Sequence, residues 1–95
     1  MTFDEPAIAE LAAARDQHNA EREGLGTEFL DEFDAVLVRI HAMPRRFPLV
    51  GDTRFRRALF KRFPYCVVYW PSDEVISVLA VAHQHAEPLY WLHRT

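Results

Sequence analysis

The stretch "YCVVYWPSDEVISVLAVAH" at 65–83 constrains the fold more than any other part of the chain. Two runs rich in β-branched and aromatic residues flank the turn signal "PSDE", and such runs read as strands. Strands joined by so short a connection pair antiparallel. Just upstream, "TRFRRALFKRF" at 53–63 alternates imperfectly. Phe55 stands apart from Arg54 and Arg56, and Leu59 apart from Ala58 and Phe60, so this run reads as a further strand.

The first half of the chain has a different period. "DEPAIAELAAARDQHNAERE" reads as a helix, with Asp4 or Glu5 as cap and Pro6 in the first turn. Ile8, Leu11 and Ala12 supply the expected buried stripe, which weakens where Arg15, His18 and Asn19 should continue it. "GLG" then interrupts, Gly24 as a C-cap and Gly26 as a turn residue. "TEFLDEFDAVLVRIHAM" is the clearest helix. Thr27 is its expected N-cap, and Phe29, Leu30, Phe33, Val36, Leu37 and Ile40 form a broad apolar face that ends before Pro44. Two helices across a Gly-rich turn form an antiparallel hairpin. "PRRFPLVGD" reads as a loop, with Met43 and Phe47 assigned to the core. The fold class is therefore α+β, an N-terminal helical hairpin packed on a small antiparallel β-sheet.

The 95 residues, about half of them apolar, are expected to form one globular domain spanning 1–95. The single Cys66 forms no internal disulfide and reads as a small buried hydrophobe, and a reducing cytoplasm is the natural compartment. No run is long and apolar enough to span a membrane, and "MTFDEPAIAE" lacks the basic-then-apolar order of a signal peptide.

Charge is unevenly placed. Residues 1–38 carry ten acids and two bases, residues 39–62 eight bases and one acid, and the rest three acids and Arg94. A net charge of −3 thus conceals a middle segment of +7. Such a segment either faces an anionic partner or is offset within the fold by the acidic helices.

The pieces "EREGLGTEFLDEFDAVLVRI", "MPRRFPLVG", "RRALFKRFPYCVVYW", "VLAVAH" and "PLYWLHR" come in the order and spacing of the RelE/ParE superfamily of bacterial toxins. The chain resembles the ParE-like branch over nearly its whole length. No single piece is specific; the ordered set is. The resemblance implies a β-α-α-β-β-β toxin-like domain, here with "MTF" as a very short first strand. It also implies the toxin component of a type II toxin–antitoxin system, which inhibits growth and serves plasmid stabilisation. Its partner is a cognate antitoxin encoded by a neighbouring gene. The ParE-like mechanism would be directed at DNA gyrase. The alternatives are a ribosome-dependent mRNA endonuclease of RelE type and a non-toxic member that only binds antitoxin.

Metal-free RNA cleavage needs a base for the 2′-hydroxyl, fixed cations for the phosphate and an acid for the leaving oxygen. If the chain is an enzyme, it is an endoribonuclease with Arg57, His83 and Tyr90 as catalytic candidates. Arg56, Lys61, Arg62 and Arg94 supply further cations. Two features weigh against that chemistry. The sequence pI is near 5.9, low for a ribosome-directed protein. In "HQHAEP", His85 and Ala86 stand where the family pattern has arginine. The residues expected to meet a target or antitoxin are Arg54, Arg56, Arg57, Lys61, Arg62, His83, His85, Tyr90 and Arg94.

Structural roles compete for several of these. Tyr90 and Trp91 fold back over the sheet, and His83 ends its strand bonded to backbone. Arg56 and Arg57 split between the two faces of a strand, so at most one serves a target. His83 and His85 share a face that His93 approaches, but with Glu87 as the one nearby acid the set is poor for zinc. No metal site and no cofactor are expected.

Overall fold

A computed structural model of the chain describes residues 1–94. Strand β1 (Thr2–Phe3) leads into helix α1 (Glu5–Glu21) and helix α2 (Leu25–Ala42). Strands β2 (Arg56–Leu59), β3 (Tyr65–Pro71) and β4 (Ile76–His83) follow, and a 3₁₀ turn covers Leu92–Arg94. The sheet order is β1-β4-β3-β2. β2–β3 and β3–β4 are antiparallel as expected, but β1 runs parallel to β4, so the sheet is mixed rather than antiparallel. The short β1 pairs Thr2 with Ser77 and Phe3 with Val78, and the Asp4 N–H continues the edge by donating to the Val78 carbonyl.

The hairpin at 65–83 is closed by Ser72 and Val75. The Ser72 N–H and hydroxyl both donate to the Val75 carbonyl, and the Val75 N–H donates back to the hydroxyl. Both faces of this hairpin are covered, which explains its near-continuous apolar sequence. On one face Val67, Tyr69, Val78 and Val81 pack under Phe29, Phe33, Val36 and Ile40 of α2. On the other, Cys66, Val68, Leu79, Ala80 and Ala82 are covered by Phe55 and Trp91. A bulge between these strands pairs Val68 with Ala80 and Tyr69 with Val78, leaving Leu79 unpaired across the ladder.

The helix turn differs from the sequence expectation. α2 starts at Leu25, so Thr27 lies inside it and Gly24 is the N-cap, at a left-handed φ of 89° that glycine tolerates. Gly26 is a helix residue at a close approach, not a turn residue. A Cβ there would lie 2.5 Å from the Arg15 carbonyl oxygen, and its N–H donates to Asn19 Oδ1 at 2.7 Å. α1 is buried through Ala7 and Ala14, with Leu11 half-buried, while Ile8 is 53% exposed. Small residues let α1 approach its neighbours, and that rotates the stripe away from Ile8. His18 continues it inside an aromatic box, stacked on Phe29 at 4.9 Å with Phe63 and Tyr65 edge-on. Met43, expected in the core, is exposed just past the end of α2, whereas Phe47 is half-buried against Tyr69.

Candidate functional site

The sheet presents two flanks on which the expected site residues fall. At the β4 flank, β1 ends after two residues and leaves the rest of the β4 edge to side chains. Glu10 of α1 fills that gap. One carboxylate oxygen accepts from the Val81 N–H at 3.1 Å and from Arg94 Nη1 at 2.9 Å. The other accepts from the Tyr90 hydroxyl and from Arg94 Nη2 at 3.2 Å. Arg94 also donates to the carbonyl of the bulged Leu79 at 3.3 Å, and its guanidinium lies over the Tyr90 ring.

This clasp reassigns two expected target residues. The Arg94 side chain is only 14% exposed, and its charge is satisfied internally. Burial first, then the bond to Glu10, push the Tyr90 phenol well above its usual value. Such a phenol stays protonated near neutrality and cannot serve as the base, and its proton is directed at Glu10. The structural reading of Tyr90 and Trp91 is the one observed: Trp91 is 3% exposed and packs edge-on against Phe55. Leu89 adopts a left-handed φ of 62° to turn Tyr90 and Trp91 onto the sheet.

Arg57 and His83 border one cavity of about 90 Å³ beneath this segment, together with Cys66, Val68 and Tyr90. By register, however, Arg57 pairs with Val68 and His83 with Tyr65, residues on opposite faces of β3. The two side chains therefore leave the sheet in opposite directions and do not converge as a cation and base for one phosphate. The His83 ring packs edge-on against Tyr65 at 5.0 Å, and its Nδ1 accepts from the His85 N–H at 3.0 Å. His85 is exposed, with its ring 5.2 Å from that of His83. His93 turns to the Tyr90 carbonyl instead of joining them. Among the described residues, no group of three His, Cys, Asp or Glu side chains is placed to hold a metal ion. Burial pushes the Cys66 thiol up to about 11, consistent with its place in the sheet core.

The β2 flank holds the basic segment. Arg56 and Arg57 split as expected: Arg56 donates to the Phe47 carbonyl at 2.7 Å, while Arg57 is exposed on the other face. Arg56 is thereby a structural residue, although its partner is a carbonyl rather than a helix acid. Arg62 pairs with Glu28 at 2.7 Å, and Glu28 also holds Arg22. Those two hydrogen bonds, Arg62 first, lower the Glu28 carboxyl. Glu32 accepts the main-chain N–H groups of Lys61 and Arg62, leaving the exposed Lys61 ammonium free for solvent. Arg54 lies over the Trp70 ring at 4.1 Å and near Phe55 at 5.3 Å. Arg39, which sequence reasoning did not select, donates to the Leu59 carbonyl at 3.1 Å. Glu10 was missed too. Its one signal is a lone carboxylate inside "AIAELAAA", matched by a lone arginine in the last turn.

Two helices on one face of a four-stranded sheet, with a C-terminal segment on the other, form the α+β architecture implied by the resemblance to RelE/ParE toxins. Among solved structures, the chain is similar to a chain of the chromosomal ParDE TA (toxin–antitoxin) system from P. aeruginosa. The TM-score is 0.64, and the likeness covers 86% of this chain and 91% of that one. At 13% sequence identity, what the two share is the fold. A scan against protein-family models and a search of curated proteins find no match. Among the described residues, no helix is long and apolar enough to cross a membrane.

Proposed function

We propose that this chain is the toxin of a type II toxin–antitoxin pair. It acts in the cytoplasm on DNA gyrase in the ParE-like manner and is neutralised by an antitoxin from a neighbouring gene. The observation that carries the reading is the fold shared with a ParDE chain over 86% of the sequence. The choice against RNA cleavage is supported by the scatter of the proton-transfer candidates: His83 faces away from Arg57, and Tyr90 and Arg94 are engaged by Glu10. General acid–base cleavage needs those groups around one phosphate.

The test is growth after inducing the protein alone and with the neighbouring gene, followed by gyrase supercoiling with purified protein. Arrest relieved by the neighbour, with supercoiling inhibited and mRNA intact, is the expected result. Cleaved mRNA with normal supercoiling overturns the gyrase assignment. A second reading, an antitoxin-binding member without toxicity, is favoured by His85 and Ala86 in place of arginine. Under it, His85→Arg with Ala86→Arg turns a harmless protein into a growth inhibitor.

A further inference from the structure

Of the eight bases between 39 and 62, two are held by acids: Arg45 by Asp73 at 3.7 Å and Arg62 by Glu28 at 2.7 Å. Among the described residues, the other six form no ion pair. Two of these six, Arg39 from α2 and Arg57 from the opposite face of β2, both line a recess of about 270 Å³ that wraps the outer edge of β2, with Phe47, Pro48 and Leu59 as its other walls. No acid lines this recess. Arg39 also borders a groove of about 550 Å³ between α2 and the β2–β3 turn, which Lys61 lines as well. Leu59 leaves 47% of its surface in water here. The bond from Arg39 to the Leu59 carbonyl holds its guanidinium in place, so little side-chain freedom is lost when an anion arrives.

We propose that this recess docks an acidic segment of a partner polypeptide. A carboxylate sits between Arg39 and Arg57, and a neighbouring apolar side chain covers Leu59 and Phe47. A guanidinium matches a carboxylate through two parallel N–H donors, and an exposed leucine beside it rewards an apolar neighbour. A nucleic acid fits less well. Its affinity comes from many phosphates in a row, and a strand leaving the recess past Arg39 meets Glu28, Asp31 and Glu32 in the adjoining groove. A peptide with one to three acids stops before them. Identifying the partner as the antitoxin rests on the toxin reading above; the docking chemistry does not.

The test is fluorescence anisotropy with the intact chain and short labelled probes. These are a peptide of alternating Glu and Leu, its Lys-for-Glu and Ser-for-Leu counterparts, and a single-stranded oligouridylate. The Glu/Leu peptide should bind and the other probes should not. Arg57→Glu and Leu59→Asp should each weaken binding by about ten-fold or more. Among the described residues the exposed Arg57 side chain forms no hydrogen bond or ion pair, and its main-chain bond to the Pro48 carbonyl survives substitution, so the variant keeps the fold, which circular dichroism checks. Arg45→Glu, the same charge change elsewhere, should leave binding intact. The proposal is overturned by absence of Glu/Leu binding, by an equal loss with Arg45→Glu, or by a preference for the oligouridylate. Self-association abolished by Arg57→Glu overturns it in favour of a second copy, whose acidic helices would fill the recess. Binding is read without cells, so a failed growth assay removes the toxin reading and leaves this result standing.

Discussion

The two flanks of the sheet solve the same problem in opposite ways. Each leaves main-chain groups that no strand satisfies, and each borrows side chains from a helix to do so. At the β4 flank Glu10 and Arg94 close the gap from within, and their side chains are 23% and 14% exposed. At the β2 flank Glu32 and Arg39 reach the strand and its turn from the solvent side, and of the bases around them Arg62 pairs with Glu28 while Arg57 and Lys61 form no ion pair among the described residues. The first arrangement secures the fold and leaves nothing to offer a partner. The second secures little and keeps its charge available. Placement, not the count of charges, separates a structural ion pair from a binding surface.

Substitutions at the β4 flank should therefore cost far more than those at the β2 flank. Trp91→Ala empties the cover over Phe55 and should cost about 4 kcal/mol in urea unfolding. Glu10→Ala strands a half-buried guanidinium and two other donors, and should cost about 2–3 kcal/mol. A loss under 1 kcal/mol would mean that water replaces the carboxylate and the clasp is dispensable.

Between the flanks, the sheet core should reveal itself at alkaline pH. Cys66 is raised from 9.0 to about 11 in the fold, so the native state holds its proton where the unfolded chain has released it. That contribution is complete below pH 9 and disappears as pH rises through about 11. It amounts to roughly 3 kcal/mol. Cys66→Ala should flatten the stability profile between those pH values; an unchanged slope would remove the thiol as its cause.

At the β2 flank, Glu32→Ala uncaps two exposed N–H groups and should cost only about 1 kcal/mol. Smallest of all is Arg62→Ala, which breaks an exposed pair and should leave the melting temperature within experimental scatter. A large effect there would show that the acidic helices and the basic segment stabilise each other, erasing the contrast between flanks.

The hairpin at 65–83 was legible because strand runs and turn residues are local signals, and α2 because its large apolar residues keep one period. α1 was less so. The eye follows Ile8, but close packing selects Ala7 and Ala14, and nothing local shows which face lies tight against a neighbour. Gly26 was misread for the same reason: the Arg15 carbonyl that forbids a side chain there belongs to another helix. The split of Arg56 and Arg57 was readable from strand alternation. The fates of Arg94 and Arg62 were not, because each depends on an acid far away in sequence.

The clasp also has a consequence in time. Glu10 and Arg94 are separated by 84 positions, so the first helix of a growing chain waits for almost all that follows before its carboxylate finds its arginine. At roughly 5–20 residues per second of synthesis, that interval is about 4–17 s. A nascent chain of this protein cannot seal the β4 edge early, and a product that stops short of Arg94 leaves the ribosome with that edge unguarded.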